Sequence, residues 1–173
     1  MKKIISLLII LFSSTIFAAE APKFSITSTS FLDAGAIPDL YTCEGKNISP
    51  EVEWTTLPAK TQSLALILSD PDAPGGTFYH WIVYNIDPKA KLDEGVEKYP
   101  SGTLVGKNSF GTTKYQGPCP PKGSVHTYIF TLYALSKKLS LPAGADAKTV
   151  LDQIKASTIA QTKITAVYTR WFT

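Results

Sequence analysis

Val125-His-Thr-Tyr-Ile-Phe-Thr-Leu-Tyr-Ala-Leu135 is dense in β-branched and aromatic side chains, the composition of a strand. Residues two apart on a strand share a face, so His126 and Tyr128 project together. Phe130 and Leu132 continue that face into apolar surroundings, while Thr127, Ile129 and Thr131 take the other. A strand that begins polar on its apolar face places an imidazole and a phenol at the mouth of a core.

Runs of the same character lie on either side. Ser63-Leu-Ala-Leu-Ile-Leu-Ser69 is almost continuously apolar, as a strand covered on both faces is. His80-Trp-Ile-Val-Tyr-Asn-Ile86 follows, and Ile164-Thr-Ala-Val-Tyr-Thr-Arg-Trp171 reads as a closing strand. Phe24-Ser-Ile-Thr-Ser-Thr-Ser-Phe31 alternates at its start. Twelve prolines and eleven glycines are spread between these runs, which marks many short turns rather than helical connections. One helix is expected from Asp146 to about Lys155, where Val150, Leu151 and Ile154 recur at helical spacing behind Gly144 and an N-cap Asp146. Ala156 to Thr162 is expected to extend it or to form a second turn. The fold class that results is all-β, a two-sheet sandwich with one or two peripheral helices.

The N-terminus has a different character. Lys2 and Lys3 precede an apolar run from Ile4 to Phe12, and small residues follow at Ala18, Ala19 and Ala21. That is the layout of a secretory signal peptide, expected over residues 1–19, and the run is shorter than the roughly 20 residues a bilayer span needs. Residues 20–173 then form a single domain of about 155 residues, enough for one well-buried core. Losing Lys2 and Lys3 lowers the formal net charge from +3 to +1, and no basic stripe remains to bind nucleic acid. The expected location is periplasmic or secreted. In such an oxidising compartment Cys43 and Cys119 are more often paired than free, the alternative being two buried thiols in a chain that stays reduced.

Chemistry-bearing residues concentrate in three places. Asp70-Pro-Asp-Ala-Pro-Gly-Gly-Thr-Phe-Tyr-His80 is a stiff turn between two strands, and it sets Asp70, Asp72 and His80 at one sheet edge if those strands are neighbours. His126 and Tyr128 form the second group. The third is Gly111-Thr-Thr-Lys-Tyr-Gln-Gly-Pro-Cys-Pro-Pro-Lys-Gly123, whose glycines are expected to offer free amides at Gly111, Gly117 and Gly123 beside the phenol of Tyr115. Such amides cradle anions without formal positive charge. Each feature also has a plain structural reading: a turn, a satisfied strand histidine, core packing with polar tips.

Taken in order, five motifs resemble the phosphatidylethanolamine-binding protein family, in its bacterial Raf kinase inhibitor-like branch. They are Ile37-Pro-x-x-Tyr-Thr-Cys-Glu-Gly45, Asn47-Ile-Ser-Pro50 with Trp54, Asp70-Pro-Asp-Ala-Pro74, His80-Trp81, and Tyr115-x-Gly-Pro-Cys-Pro-Pro-x-Gly123 with His126-x-Tyr128. The resemblance spans about Phe24 to Arg170. It implies a Greek-key β-sandwich and a pocket for phosphate or a phospholipid head group such as phosphoethanolamine, comprising Asp70, Asp72, His80, Gly117, Pro118, His126 and Tyr128. It also implies a disulfide between Cys43 and Cys119, because exported members of the branch carry the same two cysteines. Two departures stand out: Thr127 occupies a position where many relatives have arginine, and Phe78 and Tyr79 replace tryptophans.

The expected mechanism is recognition without turnover, with no enzyme activity, no cofactor and no metal. Three rival readings remain open. The two imidazoles and two carboxylates are the donor types of a zinc site. A histidine base with an aspartate orienter would suit a hydrolase, although no Gly-x-Ser-x-Gly nucleophile motif is present. A surface loop inhibiting an unidentified protease or kinase target is the third.

Overall fold

The structure, a computed structural model, describes residues 23–171, so the leader expected over residues 1–19 lies outside the described residues. Among these, the strands are β1 (Ser25–Thr27), β2 (Gly35–Ala36), β3 (Glu53–Thr55), β4 (Ser63–Asp70), β5 (Phe78–Ile86), β6 (Leu104–Val105), β7 (Val125–Leu135) and β8 (Thr158–Thr169). The helix α1 spans Ala147–Lys155, and a short 3-10 turn covers Asp39–Tyr41. Strands β2, β8, β7, β4, β5 and β6 bond in that order into a six-stranded sheet, and β1 pairs with β3 in a second sheet of two. The second sheet is therefore much smaller than a sandwich of equal halves would have.

β4 is apolar on both faces because each is covered. Leu64, Leu66 and Leu68 point into the main core with Trp81, Val83, Phe130 and Leu132, closed by Ile26 and Val52 from the smaller sheet's side. Ala65 and Ile67 face the other way, against Ile82, Tyr84 and the α1 residues Val150 and Ile154. Alternation along β7 matches the sequence reading: His126, Tyr128, Phe130, Leu132 and Ala134 are buried, and the intervening residues from Val125 to Tyr133 are not. Burying one Leu or Phe side chain contributes about 1.5–3 kcal/mol, so this alternation fixes the strand's register.

α1 begins where expected. The Asp146 carboxylate caps it by accepting the Thr149 N–H at 2.9 Å. It does not run on through Thr162. The Ser157 N–H closes a turn onto the Ile154 carbonyl, and the Thr158 hydroxyl donates to that same carbonyl. The chain then enters β8, pairing Thr158 with Leu135 and Thr162 with Leu132. Strand partners for these residues were available on β7, and long-range pairing outweighs local helical preference there.

Cys43 and Cys119 are joined in a disulfide with a Cα–Cα distance of 5.4 Å. It ties the segment after the 3-10 turn to the proline-rich loop that leads into β7.

Candidate functional site

The sheet edge formed by the end of β4 and the starts of β5 and β7 carries four buried polar side chains. Asp70, at the end of β4, continues the inward face of Leu64, Leu66 and Leu68. His126 and Tyr128 come from β7, the neighbour of β4 in the sheet. His80 comes from β5 by a less obvious route. Leu68 pairs with Trp81 but Ser69 pairs with Tyr79, so the register slips by one and His80 is left opposite no residue. Such a bulge turns its extra residue out of strict alternation. The His80 ring accordingly meets Phe78 at 5.1 Å and Tyr128 at 5.3 Å between centroids. Without the slip His80 would share the face of Ile82, against α1.

Both histidines are held through Nδ1. His126 Nδ1 lies 2.8 Å from Asp70 Oδ2, and His80 Nδ1 lies 2.7 Å from the Gln116 carbonyl oxygen. A carbonyl and a carboxylate accept, so in each ring Nδ1 carries the proton by assignment from its partner. Nε2 is the nitrogen opposite that bond in both rings. Burial pushes the His80 pKa below its ordinary 6.5, opposed by its bonds to the Gln116 and Gly117 backbone and by the Asp70 charge.

Tyr128 is fully buried, and its hydroxyl lies near the Asp70 carboxylate and the Cys119 backbone without forming a hydrogen bond of good geometry among the described residues. Burial, and next the Asp70 carboxylate, raise this phenol well above the ordinary 10.0, so it stays protonated. A buried hydroxyl without a well-formed hydrogen bond costs free energy, up to about 1–3 kcal/mol. A ligand acceptor would remove that cost.

Asp72 sits at the rim of the cluster. Its carboxylate accepts the Thr127 N–H at 2.7 Å, and its own N–H donates to Asp70 Oδ1 at 2.9 Å. The Asp-Pro-Asp turn is thus stitched to β7. Gly117 and Pro118 form the wall behind: the Gly117 N–H donates to Asn47 Oδ1 at 2.7 Å, and the Pro118 carbonyl accepts the Cys43 N–H at 3.1 Å. A Cβ at Gly117 would lie 1.9 Å from the Tyr41 carbonyl oxygen, so close approach of two backbones requires glycine there.

Two expectations need correction. The amides of Gly111, Gly117 and Gly123 are not free; they donate to the Asn108 carbonyl, to Asn47 Oδ1 and to the Arg170 carbonyl. Tyr115 does not present its hydroxyl to the cluster. It is buried against Trp81 and donates to the Tyr41 carbonyl at 2.6 Å. Both errors have one cause: turn-rich segments spend their donors on their own packing. Sequence reasoning also missed Phe110, an exposed residue of the 108–116 loop whose ring lies 5.6 Å from His80 and 4.7 Å from Phe78. It supplies a second aromatic at the rim, and its sequence setting among Ser, Gly and Thr gave no periodic signal.

Among the described residues no group of three or more His, Cys, Asp or Glu side chains is placed to hold a metal ion. The cluster gathers two imidazoles and one phenol around an aromatic edge.

Known proteins resemble the chain over most of its length. A family model described as phosphatidylethanolamine-binding protein matches residues 27–169. A UPF0098 protein of Methanothermobacter thermautotrophicus is 42% identical over 150 residues, covering 84% of this chain and 99% of the relative. The putative lipoprotein LppC of Mycobacterium tuberculosis is 37% identical over 153 residues, covering 87% of this chain and 75% of that protein. The crystal structure of Escherichia coli YbcL, described as a new member of the mammalian PEBP family, superimposes with a TM-score of 0.82 at 33% identity, covering 86% of this chain and 99% of that one.

Proposed function

Since the chain belongs to the phosphatidylethanolamine-binding protein family, we propose that the Asp70–His80–His126–Tyr128 cluster binds a small anion, phosphate or a phosphorylated head group, without turning it over. The observation that carries this reading is the buried Tyr128 hydroxyl, which makes no hydrogen bond of good geometry among the described residues, beside two imidazoles held by hydrogen bonds at Nδ1. A phosphate oxygen would accept from the phenol and from an imidazolium Nε2, and charge-assisted bonds of that kind are about twice as strong as neutral ones.

The carboxylates have a definite part in this scheme. Asp70 would repel an anion on its own, but it holds the His126 Nδ1 proton and so leaves Nε2 to face the ligand. With Nδ1 already protonated, a neutral Nε2 only accepts; to donate to phosphate it must take up a proton. Where the imidazole rather than a phosphate hydroxyl brings the proton, binding is coupled to proton uptake, and affinity then rises as pH falls from 8 to 6.

Export to the periplasm or beyond is part of the same reading. The disulfide supports it, as does similarity to a protein named as a putative lipoprotein. Calorimetric titration of the protein and of His126→Ala with inorganic phosphate and with phosphoethanolamine tests the site. Saturable binding by the parent and its loss in a variant with unchanged near-ultraviolet circular dichroism are the expected results. Equal binding by both would remove His126 from the site.

A further inference from the structure

Asn108 lies outside the cluster, yet it is only 4% exposed and its side-chain amide is bonded on every side. Nδ2 reaches the Lys114 carbonyl at 2.9 Å, the His80 carbonyl at 3.3 Å and Gln116 Oε1 at 3.3 Å. Oδ1 accepts from the Thr112 N–H at 3.0 Å, the Phe110 N–H at 3.1 Å and the Thr112 hydroxyl at 3.2 Å. The Thr112 hydroxyl also lies 2.8 Å from Gln116 Oε1. These bonds knot residues 108–116 into one unit around a single amide.

That unit meets the bulge in β5. An unpaired bulge residue has lost its ladder partner on β4, and here the loop replaces it: the Gln116 N–H donates to the His80 carbonyl at 3.3 Å, and His80 Nδ1 returns a bond to the Gln116 carbonyl at 2.7 Å. The same loop carries Phe110 to the His80 ring. An imidazole with no imposed partner samples both tautomers; one with a fixed carbonyl at Nδ1 does not.

We propose that Asn108 is a positioning residue for the anion site, which fixes His80 in the Nδ1-protonated tautomer by clamping the Gln116 carbonyl in place. The proposal rests on the anion-binding reading for its ligand, but not for the tautomer, which is a property of the empty protein. His126 is a built-in control, because its tautomer is set by Asp70 and owes nothing to this loop.

Long-range proton–nitrogen NMR of the imidazoles reads both tautomers in the absence of ligand. Asn108→Ala should shift the His80 nitrogens toward a tautomer mixture while those of His126 stay put, and phosphate affinity should fall about tenfold, the worth of one hydrogen bond to a charged group. Thr112→Val removes one hydroxyl of the knot at nearly constant shape and should move the His80 signals the same way by less; it serves if Asn108→Ala does not fold. Unchanged His80 nitrogens in a folded variant would overturn the proposal. A shifted tautomer in a protein that binds no phosphate would support the clamp and refute the anion reading instead.

Discussion

His126 and Asp70 meet at 2.8 Å from the adjacent strands β7 and β4, Nδ1 donating to Oδ2, with both side chains at least nine-tenths closed to solvent. The same carboxylate takes the Asp72 N–H on its other oxygen. One buried group therefore satisfies an imidazole and closes the Asp-Pro-Asp turn. Replacing Asp70 by Ala strands both donors, and leaving a buried donor unpaired costs about 1–3 kcal/mol. Urea unfolding of Asp70→Ala should show a loss of that size, with a smaller loss for Asp70→Asn.

Tyr128 predicts the opposite balance. Because its hydroxyl makes no hydrogen bond of good geometry among the described residues, Tyr128→Phe should leave stability within about 1 kcal/mol of the parent or raise it. Phosphate affinity in the same variant should fall tenfold or more. Thermal unfolding and calorimetry on one preparation check the two halves together.

Burial lowers the folded pKa of His80 below 6.5. The unfolded chain therefore holds more protons than the folded one below that pH, and stability falls as pH drops from about 6.5 through the folded value. His80→Gln should flatten this segment of the stability profile. Phosphate should restore part of the loss by favouring the imidazolium, and sulfate, whose charge is constant across this range, separates the protein's proton from the ligand's.

The disulfide closes a loop with a sequence separation of 76. In the chain-entropy account such a loop contributes roughly 4 kcal/mol. Cys43→Ala with Cys119→Ala should lower the unfolding free energy by about that amount. Because Cys43 also bonds the Pro118 carbonyl, the loop behind the site should lose amide-exchange protection more than α1 does.

β7 was legible residue by residue, because alternation between a core and a half-open face repeats along its length. So was β4, whose unbroken apolar run reflects cover from both sides. The four buried polar side chains of the candidate site were all named from sequence as well. The face of His80 was not legible: it depends on a slip between Leu68 and Ser69, and a slip is a property of two strands together. Tyr115 failed for a related reason, since the carbonyl that takes its hydroxyl belongs to Tyr41, far away in the chain. Asn108 carried no pattern, because its partners are mostly backbone groups of its own loop and of β5.

If the cluster is an anion site, both imidazoles reach one bound anion. Phosphate titration at pH 6.5, followed by proton–nitrogen NMR, should move the Nε2 resonances of His80 and His126 along one saturating curve. Saturable phosphate binding with both resonances unmoved would place the anion elsewhere and contradict it.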